Sequence, residues 1–300
     1  MLRHDGRVRF TKGHGTGNDF VILSDPDGRL ELTPDLVAAL CDRRRGIGGD
    51  GLLRVVRTAH HPEAAALASA ADWFMDYWNS DGSLAEMCGN GVRVFVRYLH
   101  AEGLAEAGAA GLPVATRSGV VRAVPRGEEI SVDMGRPRSR GRATATLGAL
   151  ELPGAAVDCG NPHLVCALPT GLELSALDLS VPPGYPAEVF PNGVNVEFVT
   201  ADPEPVDGAD LHVRMRVHER GSGETLSCGS GALAVAWTAL TDAGRSTGTV
   251  AVDLPGGRLT ATCDERTCWL TGPAVLVAHG ETDLGTAVPR APLAARAVSA

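Results

Sequence analysis

A chain of 300 residues, 44% of them hydrophobic, is long enough for one large or two medium domains and can build real cores. Its formal charge of −9 and pI near 5.5 argue against nucleic acid as a partner. No apolar run approaches the roughly 20 residues of a membrane helix, and the opening MLRHDGRVRF lacks the apolar stretch of a signal peptide, so no membrane partner and a cytoplasmic location are expected.

In chain order, VRFTK and DFVIL read as two strands around the loop GHGTGN, residues 13–18. Thr33-Pro34 opens a helix, a hydroxyl cap followed by proline at the first helical position, and DLVAALCDRR continues it up to GIGGDG, residues 46–51. LLRVVR is a strand, HHPEAAALASAA a loop or short helix, and DWFMDYWN a strand that breaks at SDGS. A helix follows MCGNG. PVATRSGVVRAV is a hairpin turning at Ser118-Gly119, and EISVDMG closes this half. The plan then repeats. AVDCGNPHLVCAL is strand, loop, strand, with Asn161 placed like Asn18; GVNVEFVTA and DLHVRMRVHER are strands, and a helix follows SCGSG. TVAVDLPGGRLTATC is a hairpin turning at Pro255-Gly256-Gly257, and TCWLTG closes it. Asn18 to Cys88 is 70 residues and Asn161 to Cys228 is 67, a register that supports duplication. Two similar halves with a site in the cleft between them is the expectation. Residues 272–281 read as one more strand, and the small-residue tail APLAARAVSA as disordered.

The repeated element is Cys-Gly-polar-Gly followed by a helix, at Cys88 and again at Cys228. Glycines allow a tight turn and close approach to a ligand. A helix start offers free N–H groups and a positive dipole end, which dock an anion and stabilise a thiolate. A lone cysteine is more often a small buried hydrophobe; two in matching places suggest an acid–base pair facing one substrate. Cys41, Cys159, Cys166, Cys263 and Cys268 lack this setting and read as structural. Seven cysteines are an odd count without a secretion signal, so no disulfide framework is expected. No C-x-x-C occurs, and no metal site is expected. GIGGDG matches a dinucleotide fingerprint by letters, but a helix precedes it and a strand follows, the reverse of the required order.

Inverting a carbon centre needs a base on one face and an acid on the other, and a thiolate and a thiol supply both. An ordinary cysteine pKa of about 8.5 leaves either state accessible, and the helix ends should lower the cost of the thiolate. Lys12 is the single lysine, on a strand, so nothing suggests a Schiff base, and the chemistry runs without a cofactor.

The segments GHGTGNDF, DRRRGIGGDGLL, MDYWNSDGSLAEMCGNGVRVF, GNPH, NGVNVEF, HERGSGETLSCGSGA and LTGPAV resemble the diaminopimelate epimerase family, over about residues 8–285. The resemblance implies a cofactor-independent epimerase that interconverts LL- and meso-diaminopimelate in lysine and peptidoglycan-precursor biosynthesis. It implies an α/β (α+β) fold of two pseudo-symmetric domains, each a β-barrel-like, mostly antiparallel sheet around a central helix. The domains would be residues 1–133 and 134–272, with a strand of about 273–285 returning to the first and 286–300 as tail. Cys88 and Cys228 would be the acid–base pair, assisted by His163 and Glu219. Gly89, Asn90, Gly229 and Ser230 would hold the reacting carboxylate. Asn18, Asn79, Asn161, Asn195, Glu219 and Arg220 would bind the rest of the substrate, and a homodimer is implied. Gly51 departs from the pattern, since some members carry glutamine there. A related racemase, a cysteine hydrolase and a silent binding module are the competing readings; the hydrolase would leave the second Cys-Gly-polar-Gly unexplained.

Overall fold

The computed structural model describes residues 7–108 and 110–283. Residues 1–6 and the tail expected at 286–300 lie outside the described residues. Among the described residues, seventeen strands and three α-helices follow one another as β1 Arg7–Gly15, β2 Asn18–Ser24, α1 Pro34–Cys41, β3 Gly51–Arg57, β4 Trp73–Asn79, α2 Gly89–Ala101, β5 Leu112–Thr116, β6 Gly119–Arg126 and β7 Glu129–Asp133. Then come β8 Arg138–Leu147, β9 Leu150–Asp158, β10 Pro162–Ala167, β11 Asn195–Ala201, β12 Leu211–Glu219, β13 Gly223–Thr225, α3 Gly229–Asp242, β14 Gly248–Leu254, β15 Gly257–Cys263, β16 Cys268–Pro273 and β17 Val275–Asp283. The fold is mixed α/β and mostly sheet. No helix among the described residues is long and apolar enough to cross a membrane.

The strands form one hydrogen-bonded ladder whose pattern occurs twice. β1–β2 is antiparallel, β2–β3 parallel, β3–β4 antiparallel, β4–β5 parallel, and β5–β6 and β6–β7 antiparallel. β9–β10, β10–β11, β11–β12, β12–β14, β14–β15 and β15–β16 repeat those senses in the same order. The two runs join where β7 pairs antiparallel with β16, Val132 opposite Leu270. β17 lies antiparallel on β1, and β8 occupies the corresponding place on β9.

Each run wraps a cysteine helix. α2 packs on β1, β7 and β17, and α3 on β14, β12, β10 and β15. Apolar side chains face inward nearly all round these helices: Val92, Val94, Phe95, Val96 and Leu99 on α2, and Ala232, Leu233, Val235, Ala236 and Leu240 on α3, are buried. Such helices belong inside a protein rather than on its surface. They share one apolar cluster with Trp73, Met75, Ile130, Val132, Val217 and Leu270. α1 begins where the sequence places it, with Thr33 Oγ1 accepting from Leu36 N at 3.2 Å, and covers the outer face of β1–β3.

Two strands were not expected from the sequence. β8 carries Arg138, Arg140, Gly141 and Arg142 and is largely exposed, so its apolar positions are too few to show a period of two. β13 has three residues and pairs only with the end of β12. The segment 58–71 is a run of turns with two short 3₁₀ pieces. No disulfide framework is expected from the sequence, and one disulfide is present. Cys263 and Cys268 face each other across the β15–β16 hairpin, Cα–Cα 4.0 Å apart, and form a disulfide. The other five are free.

Candidate functional site

Cys88 and Cys228 are the N-caps of α2 and α3, both in extended backbone (φ −142°, ψ 119° and φ −119°, ψ 114°). The Gly91 N–H donates to Cys88 Sγ at 3.4 Å. The two helix starts meet. A Cβ on Gly229 would stand 3.1 Å from Asn90 Oδ1, and one on Gly231 would stand 2.7 Å from Glu197 Oε1 and 3.3 Å from Cys228 Sγ. Close approach therefore leaves little room for a side chain at Gly229 and Gly231.

Both thiols open on one cleft of about 1890 Å³. Asn18, Asn79, Gly89, Asn90, Asn161, Asn195, Glu219, Arg220, Gly229 and Ser230 also line it, so residues from both strand runs converge on one space. Asn18 Nδ2 donates to Asp50 Oδ2 at 3.0 Å, and Asn18 Oδ1 accepts from Asn90 Nδ2 at 3.3 Å and from Cys88 Sγ at 3.5 Å. Asn195 is fixed at both ends of its amide: Oδ1 accepts from the Arg220 N–H at 2.9 Å and Nδ2 donates to the Pro162 carbonyl at 3.2 Å. Arg220 Nη1 donates to the Asn192 carbonyl at 3.0 Å, and Asn79 Nδ2 to Ser83 Oγ at 3.0 Å.

His163 is placed differently from the other expected residues. It is fully buried behind the cleft wall, its Nδ1 2.6 Å from Glu197 Oε1 and its Nε2 2.9 Å from Asn161 Oδ1. It makes no hydrogen bond to either thiol among the described residues. Glu219 is the carboxyl that touches a thiol, taking hydrogen bonds from Thr225 Oγ1 and Cys228.

Burial decides the electrostatics. It pushes the Cys88 thiol up to about 11, with the Glu219 charge adding to it and the Gly91 N–H opposing. The Cys228 thiol is pushed well above its usual value by burial, then by the charges of Glu219 and Glu197. The expectation that helix ends would favour the thiolates is thus overridden: a partial charge at a helix start is smaller than the cost of burying an anion. Burial also raises the Glu219 and Glu197 carboxyls, against hydrogen bonds from Thr225 and Cys228 to the first and from His163 to the second.

The sequence reading missed Glu197, Arg93, Ser227 and Asp50. Glu197 lies between buried Val196 and Phe198, where alternation would turn it outward, yet it is itself buried. One cluster outside the cleft has ligand-like chemistry. Asp202, His212 and Asp253 bring their ligand atoms within 4.8 Å of one another. Their partners are already internal: Arg214 pairs with Asp202, Arg258 with Asp253 at 2.6 Å, and His212 bonds the Glu204 carbonyl at 2.7 Å and Asp253 at 2.9 Å.

Comparison with known proteins adds the following. A family profile described as diaminopimelate epimerase matches residues 10–139 and 155–277. A diaminopimelate epimerase of Mycolicibacterium smegmatis is 50% identical over 286 residues, covering 91% of this chain and 96% of that protein. One of Streptomyces coelicolor is 52% identical over 287 residues, covering 92% and 96%. Among solved structures, a hydroxyproline epimerase of Agrobacterium vitis with bound trans-4-OH-L-proline superposes with TM-score 0.68 at 16% identity, covering 93% of each chain. A phenazine biosynthesis protein of the PhzF family from Bacillus anthracis superposes at 0.65 and 17% identity, covering 92% of this chain and 99% of that one. These two likenesses concern the fold.

Proposed function

The chain belongs to the diaminopimelate epimerase family, and from that premise we infer how the cleft carries out the epimerisation of diaminopimelate. One thiolate removes the α-proton from one face of the substrate carbon, and the opposite thiol delivers a proton to the other face. The roles exchange with reaction direction. Cys88 and Cys228 are the pair. The N–H groups of Gly89, Asn90, Gly229 and Ser230, at two helix starts, hold the α-carboxylate and take up the charge that builds as the proton leaves. Glu219, hydrogen-bonded to Cys228, is the group that exchanges a proton with it. His163 acts one step back: through Asn161 it reaches the cleft, and Glu197 holds its other nitrogen. Arg220, Asn79 and Asn195 take the distal end, a guanidinium fork suiting a carboxylate. No pyridoxal phosphate or metal enters the scheme.

The same reading divides the chain at about residues 133 and 272 into two pseudo-symmetric domains, each a barrel-like sheet around its cysteine helix, with the cleft between them. The recurring order of pairings and the return of β17 to β1 support it. A cytoplasmic homodimer completes it. The outer edge of β17, with Val275 and Val277 exposed, is the surface we assign to the second copy.

The carrying observation is that two cysteine-capped helix starts meet in one cleft. The test is α-hydrogen exchange in deuterated water on LL- and meso-diaminopimelate, with Cys88→Ser and Cys228→Ser. Each variant should lose inversion and keep exchange on one stereoisomer only, the favoured isomer switching between them. Near wild-type epimerisation by either variant would refute the two-base scheme.

A further inference from the structure

Beneath the two thiols lies a buried polar network centred on Arg93, whose side chain is 0% exposed. Arg93 Nη2 donates to Asn90 Oδ1 at 2.9 Å and to Thr16 Oγ1 at 3.2 Å, and Nε donates to the Pro273 carbonyl at 3.3 Å. Nη1 has no partner. Among the described residues no carboxylate pairs with this guanidinium, an expensive arrangement for a buried cation. Space is kept for it: a Cβ on Gly15 would stand 3.0 Å from Nη2.

A guanidinium only donates and a carboxylate only accepts, and the network runs between one of each. Because Arg93 donates to Asn90 Oδ1, the Asn90 amide must turn its Nδ2 toward Asn18 Oδ1, the Ser227 carbonyl and Ser227 Oγ, at 3.3, 3.2 and 3.2 Å. Asn18 Nδ2 then faces Asp50, and Asn18 Oδ1 faces Cys88. Thr16 Oγ1 accepts from Arg93, so its own proton is free for Ser227 Oγ at 2.7 Å. With Thr16 as the donor, Ser227 accepts from both Thr16 and Asn90, which leaves its hydroxyl proton for the cleft that it lines.

We propose that Arg93 is a positioning residue of the epimerisation, setting the donor–acceptor direction of the network that joins both thiol-bearing helix starts and supplying the fixed cation behind Cys88. This rests on the two-base reading. Arg93 faces Cys88 on its own helix and Glu129 from β7. Cys88 is faced in turn by Glu219 and by the buried Tyr77 phenol, and the Arg93 charge works against the burial that raises its thiol.

Arg93→Met and Arg93→Lys in the full chain test it, with two readouts. One is the pH dependence of iodoacetamide alkylation at Cys88 and Cys228, followed by peptide mass spectrometry without substrate. The other is α-hydrogen exchange on both diaminopimelate isomers. Arg93→Met should slow Cys88 alkylation about tenfold at fixed pH, a shift of about one pH unit, and move Cys228 less. Exchange on the isomer served by Cys88 should fall about 10- to 100-fold, more than on the other. Arg93→Lys should restore the Cys88 alkylation profile but not the full exchange rate, because an ammonium cannot reproduce the fork. A folded Arg93→Met protein with an unmoved Cys88 profile, or with equal losses on both isomers, overturns the proposal. If Arg93→Met does not fold, wild-type exchange by Arg93→Lys overturns it. If Cys88 alkylation moves as expected while the wild-type protein exchanges neither isomer, the two-base reading fails and the role of Arg93 toward Cys88 stands.

Discussion

At the scale of single residues, the raised thiols set the pH dependence. Near neutrality both cysteines are held as thiols, Cys88 with a value pushed up to about 11. A raised value means that the free thiolate becomes more abundant as pH rises toward it and is scarce below. The rate at low substrate should therefore climb between about pH 6 and about pH 9, close to tenfold per unit while one thiolate limits it. A profile of kcat/KM measured over that range checks this, and a rate that is flat or falling would remove thiolate abundance as the limit. The cysteines were legible in the sequence because a short signature occurs twice at matching places. Asn18 and Asn161 followed from the same register. Arg93 and Glu197 were not legible. One sits on what reads as the polar side of a helix and the other at an outward position of a strand. Packing between elements puts them indoors, Glu197 against His163 and Gly231, and Arg93 against Thr16, Asn90 and Pro273.

At the scale of elements, the cysteine helices carry both the core and the chemistry. Leu233 is buried on α3, in the cluster that also holds α2. Leu233→Ala should cost about 2–5 kcal/mol of stability, by lost transfer energy and the cavity left behind. Denaturant unfolding measures the cost, and a change under about 1 kcal/mol would mean that the helix is not the centre of its sheet. Helices and buried strands were readable because capping residues, glycine turns and apolar periodicity agree, as at Thr33-Pro34 and Ser118-Gly119. β8 was unreadable for the opposite reason. Its first half is exposed and dominated by arginine, ordered by hydrogen bonds to β9, and only Ala145 and Leu147 near its end are buried. The Cys263–Cys268 pairing escaped for a related reason, since it depends on a strand register that the spacing of the cysteines does not reveal.

At the scale of the whole molecule, the sequence pointed to two halves but not to how their strands would join. The β7–β16 seam joins the last strand of one run to the last strand of the other, and only pairing geometry specifies it. The surface proposed for dimerisation lies on β17, where Val277 is 61% exposed. Val277→Arg should shift a dimer to monomer in sedimentation velocity, because a charge would be buried without a partner; an unchanged dimer would place the interface elsewhere. β17 also closes on β1, so the first strand is paired with the last one across nearly the whole described chain. During synthesis the first half leaves the ribosome early yet lacks its outer strand until the final residues emerge. The second half, by contrast, has all of its strands consecutive in the chain. Closing a loop of that length is slow, so the half that is made first is the half that finishes folding last, and a ribosome that stalls within β17 would release a chain whose second half is complete and whose first is open along β1.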